Sequence, residues 1–173
     1  MKMRGATIIK VPSRSMALQY TPSVAQAREP DPRYLVGALP RGTLVDSCVL
    51  IDVLANDPIW ADWSLNALER CASLGPLVIN PLILAEISPR FERALDLEAA
   101  LAGLPLVKAA LPWDAAFLAG QAFKVYRLSQ GLKTSPMPDF YIGAHALVAR
   151  LQMLTRDSAR YLSYFPSLAL VAP

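Results

Sequence analysis

Histidine is nearly missing from this 173-residue chain, which has one, and cysteine is almost as scarce, with two. Two cysteines do not make a disulfide framework, and they form no paired-cysteine zinc motif, so free thiols in a reducing cytoplasm are the plain reading. There is no His-Glu-x-x-His, no Gly-rich phosphate loop and no G-x-S-x-G elbow. These absences exclude the common zinc, P-loop and serine-hydrolase chemistries. Long apolar runs are missing too. Stretches such as Leu77-Val78-Ile79 and Leu104-Pro105-Leu106-Val107 are too short to span a bilayer and read as buried strands. The basic start of the chain is interrupted by Arg14 and several polar residues, which argues against a signal peptide. No membrane association is expected.

What is present is apolar: 54% hydrophobic against 18% charged, enough for a sizeable core and too little polarity for wholesale disorder. The formal net charge of +3 is unevenly placed. Residues 1–41 hold seven Lys or Arg against two acids, whereas 42–173 hold ten against twelve. The basic character therefore belongs to the N-terminal segment, and it is a weak argument for nucleic-acid binding by the rest. Residues 1–40 carry five prolines, scattered serine and no sustained periodicity. They read as a poorly ordered basic extension, or as a mis-assigned start with Met16 as another candidate.

From about residue 41 the pattern changes. Short apolar strands are expected at Thr43–Val45, Pro76–Ile79, Leu104–Val107, Gln152–Thr155 and Leu168–Val171. Helices are expected between them, among them one capped at Asp57-Pro58 and running to Ser73, one over Pro112–Gln130 and one over Met137–Arg150. This alternation predicts an α/β fold, a central parallel sheet of about five strands covered on both faces. In such folds ligands bind beyond the carboxyl ends of the strands.

Four acids stand in apolar surroundings at such places: Asp46, Glu86, Asp139 and Asp157. Each has an ordinary alternative. Asp46 and Asp157 could cap helices, Asp139 suits the first turn after Pro138, and Glu86 is spaced to pair with Arg90. Gathered in one pocket, however, they would repel one another unless a divalent cation lay between them. Hard oxygen ligands suit magnesium, with manganese as substitute, and not zinc or copper. The chemistry such a site offers is phosphodiester hydrolysis by a metal-activated water. The rival route to RNA cleavage needs two histidines. His145, the single one, lies six residues from Asp139, about 240° around a helix at roughly 100° per residue, so it points away. Asp52 and Asp114 read as structural. Arg156 and Arg160 flank the candidate site, where either could meet a phosphate of the substrate, though a salt bridge to a neighbouring acid is the plainer role. Phe140 reads as core, with Tyr141 beside it as a base-stacking candidate. The Trp60/Trp63 stretch also reads as core.

Leu44-Val45-Asp46-Ser47-Cys48-Val49-Leu50-Ile51-Asp52 resembles the opening of a PIN domain, especially of VapC-type toxin ribonucleases. Pro81–Ile87 around Glu86 is similar to that family's second acidic element, and Pro138–Ala146 to its third. Leu154-Thr155-Arg156-Asp157, with Tyr161 and Phe165-Pro166, is similar to the fourth and the closing strand. Cys48 departs from the pattern, since many relatives have Asn there, and tuning of the site is expected from it. The resemblance covers about 43–173. It implies a three-layer α/β/α PIN-like fold and a magnesium-dependent toxin-type endoribonuclease. It further implies a homodimer, a cognate antitoxin and a structured RNA such as tRNA as substrate. Two rivals stand beside it: a non-cleaving RNA- or protein-binding PIN-like module, and a structure-specific DNA nuclease.

Overall fold

The computed structural model describes residues 41–129 and 131–173; the extension expected over 1–40 lies outside them. Five strands form one sheet: β1 (Thr43–Val45), β2 (Leu77–Ile79), β3 (Leu106–Lys108), β4 (Gln152–Leu154) and β5 (Leu170–Val171). Their order is β3-β2-β1-β4-β5, every pair parallel. Seven helices flank it: α1 (Ser47–Leu54), α2 (Ala61–Leu74), α3 (Pro81–Ile87), α4 (Ala94–Leu101), α5 (Trp113–Leu128), α6 (Pro138–Val148) and α7 (Ser158–Tyr164). The expected three-layer α/β/α arrangement is the one observed.

Parallel strands buried on both faces must be apolar throughout. Leu44, Val45, Leu77, Ile79, Met153 and Leu154 are at most 1% exposed. β3 at the sheet edge is the looser strand, with Val107 half exposed. It also begins two residues later than its apolar run suggests, because Leu106 is the residue that pairs with Leu77. The second helix starts later than expected as well. Asp57 Oδ1 accepts from the N–H groups of Ile59 and Trp60, each at 2.9 Å, and so caps a separate turn ahead of α2. Gly75 ends α2, its N–H bonding Cys71 O, while α1 closes without glycine. After α1, Asn56 takes φ 49°, and the bonds Asn56 N to Val53 O and Asp57 N to Asp52 O close a Schellman motif.

The topology positions the site. From β1 the chain moves outward through β2 to β3, then returns to β1's other side as β4. The carboxyl ends of β1 and β4 thus form the switch point where the order reverses, the place where such folds form their ligand crevice. α5 packs along α6, and α6 in turn contacts α3 and α7. Phe140 is fully buried with its ring against Phe123, Tyr126 and Tyr164, which makes it core as expected.

Candidate active site

Asp46 immediately follows β1 and caps α1, its Oδ1 accepting from Ser47 N at 2.8 Å. Its other oxygen, Oδ2, accepts from Thr155 Oγ1 at 2.7 Å, from beyond β4, and from Cys48 Sγ at 3.4 Å. The capping role and the site role therefore belong to the same side chain. Asp46 is 6% exposed, and burial pushes its pKa up. Three neutral donors pull it back, and the charge of Asp139 raises it further. Cys48 remains a protonated donor, because burial and then the Asp46 charge push its thiol up to about 11.

Glu86 lies near the end of α3, which Asn80 caps by accepting from Leu82 N and Ile83 N at 3.0 Å. Burial raises the Glu86 pKa; the Ser47 hydroxyl lowers it, and the charges of Asp46 and Asp139 raise it. Asp139 opens α6 behind Pro138, in its first turn. Asp46, Glu86 and Asp139 are thus brought close enough to act on one another, from three different helices. Asp157 is engaged differently. Its Oδ1 caps α7 by accepting from Arg160 N at 3.3 Å, and its Oδ2 lies 2.9 Å from Arg160 Nε. Arg160 Nη1 also reaches Asp139 Oδ2 at 2.9 Å, so the guanidinium links the two acids.

Four contributors had no signal in the spacing of the acids. Thr155 and Ser47 donate to carboxylates, and both belong to runs in which only the neighbouring Asp drew notice. Asn80 does two jobs. Because its Oδ1 is committed to the α3 cap, its amide nitrogen faces His145 Nδ1 at 3.1 Å. That nitrogen must then accept, which leaves the ring proton on Nε2. Burial lowers the His145 pKa as well, so the ring is neutral and stands apart from acid–base work at the crevice. Tyr161 is the fourth. Its hydroxyl is buried with no hydrogen-bond partner among the described residues. Burial, followed by the charges of Asp46, Asp139 and Glu86, pushes its pKa far upward.

Asp52 is structural, as expected. It is 1% exposed, accepts from Ser64 Oγ at 2.7 Å and lies 2.9 Å from Arg156 Nε. That contact is coulombic and lacks hydrogen-bond alignment. The Arg156 guanidinium meanwhile covers the Trp60 ring, 5.2 Å from its centroid. Arg156 thus ties the loop after β4 to α1 and to the turn before α2.

The PIN domain family model matches residues 43–162. This chain belongs to the PIN domain family. The PIN fold is shared with chains of known structure in toxin–antitoxin assemblies. The crystal structure of VapBC2 from Rickettsia felis bound to a DNA fragment from their promoter matches at TM-score 0.58 and 18% identity, covering 75% of this chain and 97% of the other. A toxin–antitoxin complex from Klebsiella pneumoniae matches at 0.54 and 22%, covering 75% and 96%. DNA-bound VapBC from Salmonella typhimurium matches at 0.53 and 20%, covering 78% and 98%. No curated protein matches the sequence.

PIN domains are nucleases that generally depend on a divalent metal, and the donor chemistry here fits one. The crevice gathers hard carboxylate oxygens whose ionisation is disfavoured by burial and by one another, a situation that a cation relieves. The side chains are not drawn into a closed cage. Among the described residues no three His, Cys, Asp or Glu groups converge at metal-holding distance, and Arg160 holds one oxygen of Asp139. No helix among the described residues is long and apolar enough to cross a membrane.

Proposed function

We propose that this PIN domain is a magnesium-dependent endoribonuclease of the toxin type, with manganese able to substitute. The observation that carries the reading is the grouping of Asp46, Glu86 and Asp139 at the β1/β4 switch point, where the charge of Asp139 raises the cost of ionising Asp46 and both charges raise that of Glu86. These three would hold the cation, with Asp157 as the fourth acid at the rim. The cation supplies activation of the attacking water and neutralisation of charge on the phosphate. Thr155, Cys48 and the Ser47 backbone fix the Asp46 carboxylate, and the Ser47 hydroxyl does the same for Glu86. The neutral, enclosed His145 leaves the two-histidine route without a participant.

RNA is the proposed substrate, with tRNA as the structured candidate. A cognate antitoxin and a homodimer are proposed as the assembly, on the fold shared with chains of VapBC complexes. Free Cys48 and Cys71 suit a reducing cytoplasm. A second reading has one observation in its favour: the acids are not closed on a point, and Arg160 occupies Asp139. On that reading the chain binds RNA or a protein without cutting.

Incubating total RNA with the purified protein separates the two. Discrete fragments are expected with magnesium, none with EDTA, and at least a hundredfold less product from Asp139→Asn. Folded, antitoxin-free protein that leaves RNA intact with either magnesium or manganese would favour the binding module. Preference for flapped DNA over RNA would favour a DNA nuclease.

A further inference from the structure

α7 delivers a cation into the acid group. Arg160 Nη1 donates to Asp139 Oδ2 at 2.9 Å while Nε lies 2.9 Å from Asp157 Oδ2. The planar fork of a guanidinium suits two carboxylates at once, which a lysine ammonium does not. Asp139 is 21% exposed, whereas the Arg160 side chain is 49% exposed, so the arginine arrives from the solvent side of the crevice. Its positive charge also reaches Glu86. The oxygen that Arg160 holds belongs to an acid of the proposed cation site. A guanidinium and a divalent ion on the same lone pairs would repel each other, so one must give way. The two contacts of Arg160 are separable. Nη1 can leave Asp139 while Nε stays beside Asp157, which is itself fixed as the cap of α7.

We propose that Arg160 is a resident counterion of the acid cluster: it holds Asp139 until a divalent cation replaces it, and then, still anchored by Asp157, pairs with a phosphate of the RNA. The inference rests on the metal-nuclease reading above. It gives Asp157 a task distinct from that of the other three acids, as the tether of a mobile positive group. Arg160 is a positioning residue for substrate.

The test is Mn2+ binding to the full chain without RNA, followed through the electron paramagnetic resonance of free Mn2+, for wild type, Arg160→Gln and Arg160→Lys. Losing the competing ion pair should make Arg160→Gln bind Mn2+ about three- to fivefold more tightly, the range set by a half-exposed pair of up to about 1 kcal/mol. Arg160→Lys should fall between the two, and it keeps the test open should the Gln variant misfold. With a short single-stranded RNA, Arg160→Gln should raise KM more than it lowers kcat, and Arg160→Lys should recover part of the loss. Wild type that binds Mn2+ no more weakly than Arg160→Gln would overturn the counterion role, and an unchanged KM would overturn the phosphate contact. Absence of Mn2+ binding in all three proteins would instead bring down the metal reading itself, and this inference with it.

Discussion

Burial sets Asp46 apart from an ordinary surface acid, and the penalty shows in how it should titrate. Its pKa lies above the usual 3.8, and that of Glu86 lies above 4.5. A group whose folded pKa is raised binds its proton more tightly when folded, so it contributes stability below the unfolded value and loses it as pH rises through the folded value. Without metal, the protein should therefore gain stability from these two acids as pH falls from the range where both are ionised towards the ordinary carboxylate values. Asp46→Asn should remove most of that slope. At pH 8 in EDTA the substitution should stabilise the fold by about 1 kcal/mol, and on the proposed reading it abolishes magnesium-dependent cleavage. Denaturant unfolding of both proteins across this pH range is the check. A less stable variant at pH 8 would mean that Thr155, Cys48 and Ser47 already satisfy the carboxylate fully.

The acids themselves were legible from sequence because each interrupts an apolar run at an expected strand end or helix start. Their neighbours were not. Thr155 sits 109 positions from Asp46, and no local pattern links a threonine after one strand to an acid after another. Asn80 drew no notice in the sequence, and its bond to His145 depends on packing between α3 and α6.

At the scale of elements, the approach of α6 and α7 rests on a missing side chain. A Cβ on Gly143 would lie 2.5 Å from Phe165 Cε2 and 3.1 Å from Tyr161 Cδ1. Alanine at this mid-helix position would gain up to about 1 kcal/mol in propensity. The overlap with two buried rings should cost about 1–3 kcal/mol and win. Gly143→Ala is thus expected to lower the melting temperature, with Phe165→Leu recovering part of the loss in the double variant. Independent, additive effects of the two substitutions would show that the contact does not limit packing. Activity should fall as well, since α6 carries Asp139 and α7 carries Tyr161 and Arg160.

The sequence made the alternation of strands and helices plain, because apolar strand runs punctuated by Gly75-Pro76 and Pro112 leave few other readings. Boundaries were harder. Strands of two or three residues carry too few side chains to show a period, so pairing partners decide where they begin, as at Leu106. The strand order β3-β2-β1-β4-β5 lies in tertiary pairing alone.

For the whole molecule, that order means β1 gains one neighbour early and the other late. Leu44 pairs with Val78 on one side and with Met153 on the other. Long loop closures of this kind slow folding, and contacts of high sequence separation form against the entropy of everything between them. The same order gives the crevice a history during synthesis. Asp46 and Glu86 leave the ribosome well before Asp139 and Thr155 exist, so a half-made chain carries half a catalyst and can cut nothing. Chains stalled before residue 139 should be digested readily by an added protease, and chains that have exposed Thr155 should resist it. Early resistance would show that the first half folds alone. On the proposed reading, such a chain would stay harmless to the message that encodes it for most of its own translation.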